Sequence, residues 1–375
     1  NLEDIKAPGA FEIERRLKEE LDIPVMHDDQ HGTAIISAAA LLNALELTAR
    51  DIKDVRIVVS GAGAAAMSCL ELYMKLGLKK ENIAIFDSKG HINSGRKGLE
   101  GRKLDFATKK EFKSLKDALN GADMFLGLSK GGLVNADMIK GMAANPIVFA
   151  LANPEPEIPY EEAIAAREDI IMATGRSDHP NQVNNVLGFP FIFRGALDVR
   201  ATCINDEMKL AAVRAIASLA KATVPDEVSE AYDEQSLVFG RNLIIPKPLD
   251  PRLISAIAPA VAKAAIESGV AREPITDWTK YEQTLLKRLG QATNFSSSLS
   301  NRATKNPKRV VFAEAEHYKV LKAAEQTVDE GIAHPILIGR SDKILDIIEE
   351  NSLKLSTATI IDPRSDEEAE RRARY

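Results

Sequence analysis

Residues 55 to 70 decide the fold, and they read Val55-Arg-Ile-Val-Val-Ser-Gly61-Ala-Gly63-Ala-Ala-Ala66-Met-Ser-Cys-Leu. The apolar run predicts a buried strand, and the residues after Gly63 predict an amphipathic helix. Gly61 would allow the tight turn, Gly63 would let the backbone approach a pyrophosphate, and Ala66 is small enough for the helix to pack closely on the strand. Because a helix N-terminus offers N–H groups to phosphates, we predict a dinucleotide-binding turn at Gly61, Ala62, Gly63, Ala64 and Ala65. Such turns also occur without a ligand, so the motif alone leaves a plain structural turn open.

The chain from residue 51 to residue 174 alternates strands with helices. We predict strands at 55–60, 83–86, 124–127, 147–151 and 170–174, and helices at 64–76, 115–119 and 136–142. This alternation predicts an α/β fold, a doubly wound parallel sheet (Rossmann-like) with surrounding helices. Ligands on such sheets lie beyond the carboxyl ends of the strands. The loops 61–66, 128–133 and 153–157 are therefore candidate parts of a binding site.

The composition excludes several classes of function. A chain of 375 residues with 45% hydrophobic residues is a globular protein of about two to three domains. Its net charge of −6 argues against a nucleic-acid partner, since phosphate binding needs a surplus of Lys and Arg. With only Cys69 and Cys203, a disulfide framework is not expected, and we expect a cytoplasmic protein. No apolar run approaches the ~20 residues that cross a bilayer, so we expect no membrane partner.

Acidic residues flank the first predicted helix, in which apolar residues recur at helical spacing between positions 11 and 21. Glu3 and Asp4 precede this helix, and Asp28 and Asp29 follow it. Carboxylates at Glu3, Asp4 and Asp29 suit a hard divalent cation, Mg²⁺ or Mn²⁺, that keeps coordination positions open for substrate oxygens. The alternative is that these acids are N-caps and helix-dipole partners.

Two later loops carry amide side chains. Asn153 follows the strand at 147–151, where it either contacts a nicotinamide or substrate or forms an Asx-turn before proline. The loop at 175–186 is rich in amide and basic groups, which can hold carboxylates by directional hydrogen bonds or serve as a capped connection. Long helices predicted at 206–220, 251–267 and 278–289 supply core, and we assign them no chemistry.

The C-terminal part predicts a second α/β unit. Residues 294–307 are polar and rich in serine, as is typical of a linker. Strands at 309–312, 336–338 and 359–361 alternate with helices at 318–330 and 342–349. We place the domains at 1–30 (the end of an N-terminal metal-binding part), 31–292 (dinucleotide-binding), 293–307 (linker) and 308–375. The chain starts without Met and stops in a charged helical pattern, so we expect truncation at both ends.

The motifs together resemble those of the malic enzyme family, in order along nearly the whole chain. The matching segments are 1–5, 27–34, 61–66, 151–157 and 182–186, while 191–198 and 245–252 match the bacterial form. Residues 308–375 resemble the start of a phosphotransacetylase domain, as in Arg309-Val-Val-Phe-Ala-Glu-Ala-Glu. The resemblance is to the bacterial hybrid NADP-dependent malic enzymes, which join the two parts.

This resemblance implies metal-dependent oxidative decarboxylation of malate to pyruvate and CO₂, with reduction of NADP. It implies Mg²⁺ or Mn²⁺ at Glu3, Asp4 and Asp29, and roles for Asn153 and Asn185 in orienting malate and the nicotinamide. It further implies a homo-oligomer and an acetyl-CoA effector at the C-terminal part. The family's catalytic Lys base and Tyr acid belong to a segment that precedes the match to Asn1, so the catalytic residues are unknown here.

Two alternatives stay open from the residues alone. The chain could be a catalytically silent nucleotide-binding or regulatory module, in which the acids only cap helices. It could also be another hydroxy-acid or amino-acid dehydrogenase on the same sheet. The acidic pairs argue against the dehydrogenase, because hydride transfer alone needs no metal.

The residues give conflicting indications of cofactor choice. Asp87, at the end of the second strand, would accept hydrogen bonds from a free ribose 2′-hydroxyl, which favours NAD. Lys89, Arg96 and Lys97 follow in the same loop and could hold a 2′-phosphate, or they could form a solvated surface. With the resemblance to the NADP-linked form, we predict NADP.

Overall fold

The computed structural model describes residues 1–5, 9–232, 237–288 and 303–365. The chain divides into two units, the first made of Asn1–Lys221 and Phe239–Trp278 and the second of Ala222–Val238 and Thr279–Tyr375. Most of the predicted linker at 293–307 lies outside the described residues. No helix among the described residues is long and apolar enough to cross a membrane.

A six-stranded sheet forms the centre of the first unit, in the order β3-β2-β1-β4-β5-β6. The strands are β1 (Ile57–Ser60), β2 (Ile83–Asp87), β3 (Gly90–His91), β4 (Met124–Gly127), β5 (Ile147–Ala150) and β6 (Ile171–Thr174). All five predicted strands are present and parallel, which confirms the doubly wound sheet. One further strand was not predicted from the sequence: at one edge of the sheet, β3 pairs antiparallel with β2. A strand of two residues is too short to show any alternation of apolar and polar residues.

Both faces of this sheet are covered, as alternation along the strands requires. Val59, Leu126 and Phe149 belong to one buried cluster, and their neighbours Val58 and Phe125 belong to another on the opposite face. The helices of this unit are α1 (Gly9–Glu20), α2 (Asp28–Leu47), α3 (Ala64–Lys75), α4 (Arg102–Phe106), α5 (Leu115–Leu119), α6 (Ala136–Lys140), α7 (Tyr160–Ala166), α8 (Phe189–Asp198), α9 (Asp206–Lys221) and α11 (Leu253–Glu267). Helices α4, α7 and α8 were not predicted from the sequence.

Helix α2 is apolar on nearly its whole surface and packs against α3 and α9. Asn43 joins this packing, because its Nδ2 donates to the carbonyls of Ala217 at 2.8 Å and Ile244 at 2.9 Å. Helix α1 does not bury the face that its apolar residues predict. Ile13 is 41% exposed, whereas Glu14 is buried, because Glu14 forms hydrogen bonds with the residues that begin α2.

Side chains and loops occupy both edges of the sheet. At the β3 edge, Arg96 Nη1 donates to the carbonyls of Gly90 at 3.1 Å and His91 at 3.3 Å. At the β6 edge, Asn181 Nδ2 donates to the Met172 carbonyl at 2.9 Å, and the Val183 N–H donates to the Thr174 carbonyl at 2.8 Å.

The second unit contains α10 (Asp226–Ala231) and most of α12 (Trp278–Lys287), followed by a smaller sheet. That sheet has the order β7-β8-β9, all parallel, with β7 (Lys308–Phe312), β8 (Ala333–Ile338) and β9 (Thr359–Ile361). Helices α13 (Tyr318–Asp329) and α14 (Ser341–Glu350) connect the strands. Its core contains Leu321, Leu337 and Ile344, which are fully buried.

Candidate functional site

The glycine turn lies between β1 and α3, as predicted. Gly61 has φ +112°, and a Cβ at this position would lie 2.5 Å from the carbonyl oxygen of Leu128, so only glycine fits the turn. Gly63 is the N-cap of α3 and supplies no side-chain acceptor to the first N–H groups of that helix. A Cβ on Gly63 would meet nothing within 4 Å, so the backbone faces open space there. Ala66 is 1% exposed, as close helix packing requires.

A crevice of about 480 Å³ opens at the carboxyl ends of β1, β2 and β4. This is where the strand order reverses direction, the usual ligand position in a doubly wound sheet. Its lining residues come from the ends of β1 and β2, from the loops that follow the three strands, and from α4: Ser60, Gly61, Ala62, Phe86, Asp87, Ser88, Lys103, Ser129, Lys130 and Leu133.

Asp87 lies in this crevice between two cations. Arg96 Nη1 and Lys103 Nζ lie 2.8 and 2.9 Å from its two carboxylate oxygens, and the N–H of Lys89 donates to the carboxylate at 2.9 Å. Partial burial would raise the pKa of Asp87, but the hydrogen bonds from Arg96 and Lys103 outweigh burial and hold that pKa well below its usual range. Asp87 is therefore ionised and carries two positive partners.

The cations around Asp87 are only in part those predicted from the sequence, which were Lys89, Arg96 and Lys97. Of the three cationic side chains, that of Arg96 contacts Asp87. The side chains of Lys89 and Lys97 are exposed and do not line the crevice. The second cation in contact with Asp87 is Lys103, because α4 brings its side chain back to the end of β2.

The N-terminal acidic segment lies beside the start of α2. Leu2 and His27 form a parallel bridge, in which the Leu2 N–H donates to the Met26 carbonyl and the Asp28 N–H to the Leu2 carbonyl, both at 2.9 Å. The N–H of Asp4 donates to Asp29 Oδ2 at 2.9 Å. The structure therefore brings Glu3, Asp4 and Asp29 into one region.

Asp28 is the most unusual acid of this region. Its side chain is 0% exposed, and neither carboxylate oxygen has a hydrogen-bond partner in the described structure. Burial, and then the negative charge of Glu3, raise the pKa of Asp28 to about 6. Asn185 lies near enough to favour the charged form, but its Nδ2 donates to the backbone carbonyl of Asp28 at 3.4 Å. A buried carboxylate of this kind requires a cation or a proton.

The two predicted asparagines differ in position. Asn185 lies beside the first turns of α2, where its Oδ1 accepts from Thr33 Oγ1 at 3.0 Å. Asn153 is exposed on the loop after β5. The structure thus places Asn185 with the acidic segment and Asn153 at the carboxyl end of the sheet.

No group of three or more His, Cys, Asp and Glu side chains in the described ranges is arranged so that it could hold a metal ion. Glu3, Asp4 and Asp29 share a region without forming a complete coordination sphere. Asp28 and Lys103 were missed as site residues. The pair Asp28-Asp29 could have suggested a role for both acids, whereas nothing local in the sequence connects Lys103 to Asp87.

The chain matches known proteins over both of its units. Residues 30–232 match the family described as malic enzyme, NAD binding domain, and residues 294–375 match phosphate acetyl/butaryl transferase. An NADP-dependent malic enzyme of Escherichia coli (strain K12) is 55% identical over 346 residues, which are 92% of this chain and 46% of that relative. An NAD-dependent malic enzyme of Rhizobium meliloti (strain 1021) is 53% identical over 344 residues, 91% of this chain and 44% of the relative.

The crystal structure of malic enzyme from Pyrococcus horikoshii Ot3 has a similar fold. It is 37% identical in sequence, with a TM-score of 0.67, and the match covers 79% of this chain and 69% of that one. The chain spans about half the length of the curated relatives it matches.

Proposed function

This chain belongs to the malic enzyme family, and from that premise we propose that the protein oxidises malate with NADP and decarboxylates it to pyruvate and CO₂. The observation that carries the proposal is that one unit holds both a dinucleotide crevice and a separate acidic segment with a buried, unpaired carboxylate. A dehydrogenase that only transfers hydride needs the first feature and not the second.

The choice of NADP over NAD rests on the two cations at Asp87. A lone acid at this position favours a ribose 2′-hydroxyl and repels a 2′-phosphate. Here Arg96 and Lys103 together carry two positive charges against one negative charge. The side chain of Lys103 is 38% exposed at the crevice wall, and its ammonium group can contact a phosphate as well as Asp87. Relatives named as NADP-dependent and as NAD-dependent have similar sequence identity to this chain. The assignment of NADP therefore depends on the contacts of Arg96 and Lys103.

We assign a divalent cation, Mg²⁺ or Mn²⁺, to Glu3, Asp4 and Asp29. The support for such an ion is the chemistry of the region, because Asp28 is a buried carboxylate whose oxygens accept no hydrogen bond and the negative charge of Glu3 lies near it. When bound, a divalent cation would act as a Lewis acid on the C2 oxygen of malate. The role of the protein is to hold the carboxylates in place, which the backbone pairing of Leu2 with His27 does.

Asn185 and Asn153 are proposed to orient the substrate and the nicotinamide. Asn185 supports this role by its position beside Asp28. Its Oδ1 accepts from Thr33, which fixes the direction in which the amide points. Asn153 supports it by its exposure at the carboxyl end of β5.

The remaining parts of the proposal concern the protein as a whole. The match of residues 294–375 to phosphate acetyl/butaryl transferase supports acetyl-CoA as the effector class for the second unit. We expect a homo-oligomer in the cytoplasm.

The test is product stoichiometry with the whole protein, malate, NADP and Mn²⁺. We expect pyruvate, CO₂ and NADPH in equal amounts. Oxaloacetate accumulating in place of pyruvate would contradict decarboxylation, and NADPH formation that is unchanged by a chelator would contradict the metal. Titration of this chain with NADP and NAD tests the cofactor assignment separately.

A further inference from the structure

Glu157 is a buried acid to which the proposed reaction gives no role. It lies on the loop after β5, and it is 0% exposed. One carboxylate oxygen, Oε1, accepts from the N–H of Ser129 at 2.9 Å. The other, Oε2, accepts from the N–H of Ala152 at 3.1 Å. The carboxylate therefore joins the loop after β4 to the loop after β5.

Both N–H donors lie at the carboxyl end of the sheet, where we propose that the cofactor binds. Ser129 lines the crevice, and its hydroxyl lies 2.9 Å from that of Ser60 at the end of β1. Ala152 immediately precedes Asn153. The Glu157 backbone adds a further link, since its carbonyl accepts from the N–H of Val134 at 3.0 Å. One acid thus connects the carboxyl ends of the neighbouring strands β4 and β5.

The space for this carboxylate is made by Gly127, the last residue of β4. A Cβ at Gly127 would lie 2.2 Å from Cδ of Glu157, so the carboxylate group rests directly on the glycine backbone. Burial raises the pKa of Glu157, and the backbone N–H groups of Ser129 and Ala152 oppose that rise because they stabilise the charged form.

We propose that Glu157 is a positioning residue of the cofactor site, whose carboxylate sets the spacing between Ser129 in the crevice and Asn153 on the neighbouring loop. The inference rests on the proposed binding of a dinucleotide. The inference concerns the geometry of the two loops that both NADP and NAD would contact. It gives Glu157 no role in binding the 2′-phosphate. Loss of the carboxylate therefore weakens both dinucleotides alike.

The test compares Glu157→Gln with the unmodified chain. The amide keeps the shape of the side chain but turns an NH₂ group toward one of the two N–H donors, so one hydrogen bond is replaced by a repulsive contact. We expect the Kd of NADP and that of NAD each to rise about tenfold, which corresponds to about 1.4 kcal/mol. Amide exchange at Ser129 and Ala152 should accelerate, while protection in the centres of β4 and β5 is retained.

A matched control and a second variant complete the experiment. Glu161→Gln makes the same chemical change on the exposed first turn of α7, where the side chain is 75% exposed, and should leave both Kd values unchanged. Gly127→Ala keeps Glu157 but displaces its carboxylate, and should reproduce the effect of Glu157→Gln.

The outcomes separate the inference from the function on which it rests. Kd values of Glu157→Gln within about twofold of the unmodified chain overturn the positioning role, since about twofold is only ~0.4 kcal/mol. Loss of protection throughout the unit, or selective weakening of NADP, also overturns it. If the unmodified chain binds neither dinucleotide, the proposed function fails and the inference fails with it.

Discussion

Replacing Lys103 by alanine tests the proposed basis of cofactor choice. Lys103 Nζ lies 2.9 Å from Asp87 Oδ2, at the wall of the crevice. In the variant, Asp87 keeps the guanidinium of Arg96 but loses its second cation. A 2′-phosphate then meets an acid that is neutralised by one positive charge and not two. We expect weaker binding of NADP and little change for NAD.

The size of the effect follows from charge and exposure. Two unit charges about 4 Å apart interact by ~4 kcal/mol at an effective dielectric constant of ~20. The Lys103 side chain is 38% exposed and shared with Asp87, so solvent screening and competition reduce this to about 1–2 kcal/mol. Each 1.4 kcal/mol is about tenfold in affinity, so the Kd of NADP should rise about 5- to 30-fold.

The assay is calorimetric titration of NADP and NAD against the unmodified chain, Lys103→Ala, Lys97→Ala and Lys116→Ala. Lys116 is an exposed lysine on α5, outside the crevice, and serves as the control for removal of one charge. Lys97→Ala separates the sequence-based expectation from the structural one, because Lys97 does not line the crevice. Equal weakening of NADP and NAD by Lys103→Ala, or a larger effect at Lys97, would refute the reasoning.

Three further predictions concern the metal, acid stability and the core. Asp29→Ala should abolish Mn²⁺ binding in calorimetry. Asp54 is an exposed acid in the same unit, and Asp54→Ala should leave Mn²⁺ binding unchanged. Unchanged Mn²⁺ affinity in Asp29→Ala would show that Asp29 is not a ligand. The hydrogen bond from Arg167 lowers the pKa of Asp169 from 3.8 to about 2, so its contribution to stability is present above pH 3.8 and is lost as the pH falls through about 2. Asp169→Asn should therefore cost about 1 kcal/mol of unfolding free energy at neutral pH, reduced by solvent screening, and flatten the acid dependence in that window in urea titrations. Phe149→Ala, in the centre of the sheet, should cost about 3–5 kcal/mol by thermal or urea unfolding, against about 0.5 kcal/mol or less for the half-exposed Leu197→Ala; similar costs for both would contradict the placement of β5.

The sheet could be predicted because its strands are buried on both faces. Runs such as Ile57 to Val59 and Ile147 to Ala150 contain only apolar residues, and Gly61 marks where the first strand ends. The edge strand β3 could not be predicted, since Gly90 and His91 form it only because β2 lies alongside. Here tertiary pairing, and not local preference, decides the structure.

The candidate site was predictable where its chemistry is local in the sequence. Gly61 and Gly63 indicate the turn by their spacing alone, and the acidic pairs indicate a cluster of carboxylates by their composition. Lys103 was not predictable, because its partner Asp87 lies 16 residues earlier and a short helix brings the two together. Glu14 shows the same limit, since helical periodicity favoured burying its apolar neighbour Ile13.

The filled edges of the larger sheet limit how copies of this chain can associate. A sheet extends across a two-fold axis only where an edge strand offers free carbonyls and N–H groups to its copy. The carbonyls of Gly90 and His91 already accept from Arg96, and those of Met172 and Thr174 accept from Asn181 and Val183. Addition of a strand from another subunit at these positions would have to displace Arg96 at one edge, or Asn181 and Val183 at the other. We therefore expect copies of the first unit to associate through helix surfaces, and substitutions that alter subunit affinity to fall there.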